Sequence, residues 1–178
     1  MKKTLLILPV AALLLAGCSS PAPTVAPAGE TQAAAAANTA AASDRSAAIG
    51  ETVTYDSGVK VTVKSLGFQP VGQYAVGAVE GQAAVFELTV ENGGKEELNA
   101  ALMSLPKVTY GASNAKAESV IDSGAGLGMN MLSTILPGET QQAKVAAAIP
   151  AAEAGTVRVE VTGPSAFTDK AAIFKGAL

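Results

Sequence analysis

The segment AVFELTVEN, residues 84–92, decides the fold class of this chain. Its even positions from 84 to 90 carry Ala, Phe, Leu and Val, whereas its odd positions carry one Val, two Glu and one Thr. Alternation with a period of two is typical of a β-strand that buries one face. The pair Asn92-Gly93 then marks a tight turn, since both residues tolerate a positive φ angle. The segment therefore predicts a half-buried antiparallel strand.

The same alternation recurs on both sides of this segment. Val59, Val61 and Val63 share one face, and the turn signal Asp56-Ser57-Gly58 joins them to an earlier strand near Thr52–Tyr55. Further strands are predicted at Lys107–Tyr110, Ala115–Ile121, Met131–Leu136, Ala143–Ile149, Val157–Val161 and Ala172–Lys175. Roughly seven to nine short strands without a convincing amphipathic helix predict an all-β, antiparallel two-sheet sandwich, with a small closed barrel as the alternative.

Two glycine-rich stretches, Gly67–Gln82 and Asp122–Asn130, are predicted to be long loops. Loops on a rigid sandwich commonly carry recognition. Tyr74 in the first loop, and Leu127 and Met129 in the second, are the candidate partner-contact residues, because exposed aromatic and methionine side chains form adaptable binding surfaces. The alternative for Leu127 and Met129 is that they fold back as core. Tyr74 and Phe68 could instead line the mouth of a small-ligand site or cap one end of the sandwich.

The composition argues against most catalytic and metal chemistry. The chain has no histidine, no tryptophan and one cysteine, and its formal net charge is −3. A Ser-His-Asp triad is therefore impossible, and a mildly acidic chain does not suit nucleic acid. We expect no catalytic residues, no metal site and no cofactor, and hence no enzyme.

Two motifs resemble functional sites, but each has a simpler structural interpretation. Gly124, Gly126 and Gly128 resemble a phosphate loop, but such a loop needs a preceding strand, a following helix and usually a lysine. A flexible connection is expected instead. The carboxylates of Glu91, Glu96 and Glu97 around a turn suggest acid–base chemistry or calcium, and a solvated turn is the expectation.

The first residues look like an export signal. Lys2 and Lys3 precede an apolar run from Thr4 to Leu15, which is shorter than the ~20 residues that span a bilayer. The sequence Leu15-Ala16-Gly17-Cys18 resembles the lipobox of bacterial lipoproteins. The resemblance implies cleavage of residues 1–17 as a signal peptide and a diacylglycerol, with palmitate-like chains, on Cys18. Two or three acyl chains would hold the protein stably on the membrane.

Residues 18–48, rich in Ala, Pro and Thr, predict a disordered linker because they bear almost no large apolar side chain. Residues 49–178 predict the sandwich domain. The runs Ile49–Val53, Phe86–Asn92 and Leu136–Thr140 resemble immunoglobulin-like domains of unknown function in lipoproteins of Gram-positive bacteria, which are similar in fold to a small secreted immunogenic protein of mycobacteria. That family offers no catalytic residue to transfer.

The expected function follows from these parts. We expect a lipoprotein on the extracytoplasmic face of a bacterial cell membrane, anchored through Cys18, whose sandwich binds a protein partner in the cell envelope. The alternative is an envelope carrier of a small ligand, which would need an apolar pocket between the sheets or at one end of the sandwich.

Overall fold

Two β-sheets packed face to face form the described part of the chain. The computed structural model describes residues 24–27, 45–165 and 168–178. The strands are β1 Thr24–Pro27, β2 Ser46–Ala48, β3 Glu51–Thr54, β4 Val59–Pro70, β5 Gln82–Asn92, β6 Leu98–Asn99, β7 Lys107–Tyr110, β8 Ala115–Lys116, β9 Thr134–Ile135, β10 Thr140–Ala147, β11 Val157–Val161 and β12 Ala172–Gly176. Short 3-10 turns lie at Ala101–Ser104 and Ala151–Glu153.

The strand order confirms the predicted fold class. The first sheet runs β1-β3-β4-β5-β10, and each strand in it pairs antiparallel with its neighbours. The second sheet runs β2-β12-β11-β7-β8, where β2 pairs parallel with β12 and the other pairs are antiparallel. A separate ribbon joins β6 to β9. Apart from the parallel pair β2–β12, the described sheets are antiparallel, and they form the predicted two-sheet sandwich rather than a closed barrel.

The main core lies between the two sheets. At its centre, four side chains are at most 1% exposed: Val61 and Phe86 of the first sheet, and Val159 and Phe174 of the second. They belong to one cluster of buried apolar side chains drawn from both sheets. Burying a Val, Leu or Phe side chain contributes about 1.5–3 kcal/mol, so this cluster supplies the main driving force for folding.

The strand β4 is longer than the sequence suggested. The predicted loop from Gly67 in fact begins at Val71, and a β-bulge lies between Ser65 and Phe68. Gly67 sits in the bulge with φ +73° and donates its N–H to Ser65 Oγ at 3.1 Å. The extra residue reverses the alternation of the strand, so Phe68 packs against the main core. A glycine that looked like the start of a loop is a kink within a strand.

Asn92 ends β5 in a different way from the predicted tight turn. Neither it nor Gly93 has a positive φ angle. Its side chain is buried, and its Nδ2 donates to the carbonyl oxygens of Glu96 and Ile135, both at 2.8 Å. Its Oδ1 accepts the N–H of Gly94 at 3.0 Å. The asparagine thus fixes the turn through both N–H groups and the oxygen of its side-chain amide.

The strands extend beyond the predicted start of the domain at residue 49. Ser46–Ala48 pairs with β12, and Thr24–Pro27, within the predicted linker 18–48, pairs with β3. Backbone hydrogen bonds alone can add a strand to a sheet edge, which explains how a segment without large side chains joins the sheet. The leader, Cys18 and the remainder of the predicted linker lie outside the described residues.

Candidate functional site

A second, smaller core lies on the outer face of the first sheet. It is built around Val85 of β5 and Ala146 of β10, which face away from the main core, and its buried members are Ala83, Val85, Val120, Leu127, Ala146 and Ala148. Val71, Ala78 and Val79 pack against it and are partly buried. Because these outer positions are apolar, two connecting segments fold across them and exclude water. We call these segments, residues 71–81 and 117–130, the loop layer.

Backbone hydrogen bonds join the two segments of the loop layer. Val76 and Ile121 form an antiparallel bridge, with N···O distances of 2.9 and 3.0 Å. The second segment is tied to β10 by the N–H of Val120, which donates to Ala146 at 2.9 Å. Gly77, at φ +84°, lies so close to the second segment that an added Cβ would come within 2.5 Å of the Ser119 carbonyl oxygen. The two segments therefore form one ordered unit.

Asp122 holds this unit together with its carboxylate. Its Oδ2 accepts the N–H of Gly72 at 2.7 Å, and its Oδ1 accepts those of Gly124 and Ala125 at 3.0 and 3.3 Å. The Gly72 hydrogen bond, supported by the other two, lowers the pKa of the Asp122 carboxyl below its ordinary value of 3.8, against the opposing effect of burial. At neutral pH the carboxylate is ionised, and its hydrogen bonds link the two segments.

The loop layer displays a set of exposed apolar side chains. Tyr74 is 87% exposed, Val76 67%, Met129 60% and Ile121 44%. Val76 lies opposite Ile121 in the bridge, and a Cβ added to Gly128, beside Met129, would lie 3.2 Å from Ile121 Cγ1. We call Tyr74, Val76, Ile121 and Met129 the contact surface. Large apolar groups held exposed on an ordered backbone are typical of a binding surface.

The structure separates the predicted contact residues. Leu127 is 1% exposed and belongs to the second core, so its prediction as a partner contact is wrong. Its N–H and carbonyl oxygen both pair with the backbone of Asp122, at 2.9 and 3.1 Å, which turns its side chain toward the sheet. Tyr74 and Met129 are exposed, so Tyr74 is not a cap over the end of the sandwich. Their contact with a partner stays a prediction.

The glycine-rich stretch from Gly124 to Gly128 is not a phosphate loop. No helix follows it, since residues 129–133 are irregular. The backbone N–H groups of Gly124 and Ala125, which would have to face an anion, donate to Asp122 instead. The stretch turns the chain back over the second core.

The candidate carboxylates lie on two different features of the surface. Glu91 accepts a hydrogen bond from Lys60 Nζ at 2.9 Å on the outer face of the first sheet. Glu96 and Glu97 line a surface groove of about 680 Å³ together with Asp56 and Asp169. Within residues 24–27, 45–165 and 168–178, no group of three acidic, histidine or cysteine side chains is placed to hold a metal ion.

Sequence reasoning missed Asp122 as the organiser of the site. It placed this residue only at the start of the predicted loop Asp122–Asn130. The available clue was the pair Ala83 and Val85, whose apolar side chains occupy the face predicted to be polar. Such a face requires a cover, and the two long connections were the segments of sufficient length to provide one.

Known proteins share the fold of this chain rather than its sequence. No protein-family model matches the sequence, and a comparison with curated proteins finds no match. The chain is similar in structure to a Bacillus subtilis protein described as a "putative lipoprotein (ycdA)", with a TM-score of 0.53 and 18% identity. That similarity covers 67% of this chain and only 36% of the other, so this chain spans about a third of its length.

The YjhA protein of Bacillus subtilis is similar over nearly its whole length. The TM-score is 0.57 at 16% identity, and the match covers 72% of this chain and 97% of YjhA. A β-sandwich protein from Clostridium difficile 630 gives a TM-score of 0.46 at 18% identity, over 74% and 93% of the two chains. In the part of the chain that the structure describes, no helix is both long and apolar enough to cross a membrane.

Proposed function

We propose that this protein is a lipid-anchored lipoprotein of the bacterial cell envelope whose sandwich binds a partner protein through Tyr74, Val76, Ile121 and Met129. The observation that carries this function is the exposure of four large apolar side chains on the loop layer, where Asp122 and the second core fix the backbone. A surface that is ordered before binding loses less conformational entropy on association. Tyrosine and methionine are enriched in protein interfaces.

Two observations support the lipid anchor. The sequence Leu15-Ala16-Gly17-Cys18 resembles a lipobox, and the structural neighbour YcdA is described as a "putative lipoprotein". In this proposal the acylated Cys18 holds the domain on the extracytoplasmic face of the membrane. Mass spectrometry of the membrane fraction is expected to show acyl mass on Cys18, and Cys18→Ala is expected to release the protein. An unmodified thiol, or a Cys18→Ala protein that stays on the membrane, would contradict the anchor.

Protein binding is favoured over small-ligand carriage by the packing of the core. Phe86, Leu88 and Phe174 fill the space between the sheets, each at most 1% exposed. Among the described residues, one groove lies on the surface beside the turns at Asp56–Gly58 and Gly93–Glu97, and another lies on the outer face of the second sheet. We propose no catalytic role, since the sequence offers no histidine and its one cysteine is the proposed acylation site.

The test is recovery of a partner from envelope extract with the full chain and surface variants. Tyr74→Ser and Met129→Ser remove apolar contacts, and Leu102→Ser is the matched control, because Leu102 is 61% exposed outside the loop layer. We expect the amount of partner protein recovered to fall about tenfold with Tyr74→Ser, in line with aromatic hot spots. The amount recovered with Leu102→Ser is expected to equal that with the wild type. Before the binding test, each variant is shown to have the same melting temperature as the wild type.

Three outcomes would contradict this function. Equal loss with Leu102→Ser would mean nonspecific adhesion. Purification with a bound small molecule and no protein would favour a carrier. Concentration-dependent self-association that Tyr74→Ser abolishes would assign the contact surface to a second copy of this chain.

A further inference from the structure

A row of polar side chains crosses the outer face of the second sheet. Thr109 of β7 lies directly opposite Lys116 of β8 on one side and Arg158 of β11 on the other. Lys175 of β12 continues the row opposite Arg158. Side chains at directly paired positions share one face of a sheet. The row therefore places three cationic residues and one threonine side by side on the face turned away from the main core.

Three members of this row, Thr109, Lys116 and Arg158, line a surface groove of about 340 Å³. The groove is lined by Lys107, Thr109, Asn114, Lys116, Arg158 and Glu160. Three cations face one carboxylate there, although the chain as a whole carries a formal charge of −3. The groove is therefore a local positive site on an acidic protein, of a size that suits a small ligand.

The carboxylates near the groove leave most of its donors available. Glu160 Oε2 accepts from Arg158 Nη2 at 2.9 Å, which orients the guanidinium but engages one of its five N–H groups. Glu118 lies 3.6 Å from Lys116 Nζ, and both side chains are about 70% exposed, at 73% and 69%. An ion pair so exposed is weak and screened by salt, so Lys116 can turn toward a bound anion.

Thr109 provides an independent sign of a ligand. Its side chain lines the groove and is 9% exposed, and within the described residues its buried Oγ1 has no hydrogen-bond partner. Buried hydroxyl groups nearly always have a partner. The hydroxyl lies between Lys116 and Arg158 in the row, where an oxygen of a bound anion would accept its proton.

We propose that this groove binds a phosphate group. Neighbouring strands lie about 4.8 Å apart, so Lys116 and Arg158 can approach a ligand over Thr109 from opposite sides. Donors from several directions suit a tetrahedral group with three acceptor oxygens better than a planar carboxylate. Arginine in particular binds phosphate through two parallel hydrogen bonds. The phosphate is that of a soluble ester or of an anionic lipid headgroup.

In the experiment, the full chain is titrated with inorganic phosphate and with glycerol phosphate. Calorimetry and amide chemical shifts measure the binding. We expect saturable binding with shifts centred on Thr109 and Arg158. Arg158→Gln is expected to weaken binding about tenfold, and Arg158→Lys less, because lysine keeps the charge without the paired donors. Lys64→Gln is the matched control, an exposed lysine on the outer face of the first sheet.

Thr109→Val separates a ligand role from a structural one. The variant removes the unpartnered hydroxyl and keeps the branched shape, so the melting temperature is expected to stay or rise. Phosphate affinity is expected to fall about fivefold, the equivalent of one neutral hydrogen bond. Unchanged affinity in Thr109→Val would overturn the role of the hydroxyl and with it the proposed site.

Vesicles distinguish the two sources of phosphate. Binding to phosphatidylglycerol but not to phosphatidylcholine vesicles, lost in Arg158→Gln, would identify a lipid headgroup. Binding of glycerol phosphate without vesicle binding would identify a soluble ester. Absence of saturable binding both to glycerol phosphate and to phosphatidylglycerol vesicles would overturn the proposal. Lys64→Gln weakening phosphate binding as much as Arg158→Gln would also overturn it. Partner recovery through Tyr74 is expected to be unchanged in Arg158→Gln, so the two functions fail independently.

Discussion

The carboxylate of Asp122 accepts the backbone N–H of Gly72 at 2.7 Å across 50 positions of the chain. This contact joins the two long connections that cover the outer face of the first sheet. It also explains how a stretch with many glycines is held in one conformation, since each oxygen of the carboxylate is engaged by backbone donors. The contact surface around Tyr74 depends on this joint.

Asp122→Asn is expected to lower the melting temperature at neutral pH. An asparagine presents one acceptor oxygen and one amide NH₂ group, so the NH₂ group must face backbone N–H groups that in the wild type donate to Asp122. The pKa of Asp122 is lowered in the folded state, so its stabilisation is complete above the ordinary value of 3.8 and is lost as the pH falls through the folded value. Thermal unfolding of both proteins from neutral to acidic pH measures this.

The difference between wild type and Asp122→Asn is therefore expected to shrink in acid. Asp56→Asn, at an exposed turn, is the control and is expected to keep the melting temperature of the wild type at neutral pH. A difference that stays constant from neutral pH to well below 3.8 would rule out titration of Asp122 as the cause.

Leu127→Ala is expected to destabilise the protein by about 2–5 kcal/mol, the usual cost of removing a buried leucine. Met129→Ser, two positions away and 60% exposed, is expected to stay within about 0.5 kcal/mol of wild type. Denaturant unfolding of the two variants measures the contrast. Equal destabilisation by the two substitutions would mean that Met129 is part of the core and does not belong to the contact surface.

The sequence predicted the strands whose side chains alternate cleanly. β5, β7 and β11 lie where the pattern places them, because one face of each packs on the main core and burial enforces the period of two. Gly67 misled the prediction, since a glycine in a bulge and a glycine that starts a loop look the same in sequence. Only the pairing of β4 with β5 across that position distinguishes them.

The two candidate sites could not be read from the sequence because both depend on distant partners. Asp122 and Gly72 meet only after the loops cross the second core. Thr109 and Arg158 become neighbours only because β7 pairs with β11, and strand order is not encoded in the alternation of either strand. The sequence thus identified which residues face outward but not which of them stand together.

Gly77→Ala is expected to disturb the loop layer more than Gly81→Ala. Both glycines have a positive φ angle, +84° and +69°, so either alanine costs about 1–2 kcal/mol in backbone strain. A Cβ at Gly77 would also meet the Ser119 carbonyl oxygen at 2.5 Å, whereas a Cβ at Gly81 has nothing within 4 Å. Hydrogen exchange at Val76 and Ile121 is expected to accelerate in Gly77→Ala. Equal stability loss and unchanged exchange would contradict the close contact between the segments.

Tyr55→Phe is expected to cost about 1 kcal/mol at neutral pH, because the Tyr55 hydroxyl donates to the Lys170 carbonyl oxygen at 3.0 Å and ties two distant segments together. Burial, and then the negative charge of Asp169, raise the pKa of Tyr55 from 10.0 to about 12. Its stabilisation is therefore complete below pH 10 and is lost as the pH rises toward about 12. Urea unfolding across this interval is expected to show wild type losing stability faster than Tyr55→Phe, so that the gap between them narrows. Parallel losses in the two proteins would show that other groups, and not Tyr55, govern unfolding in alkali.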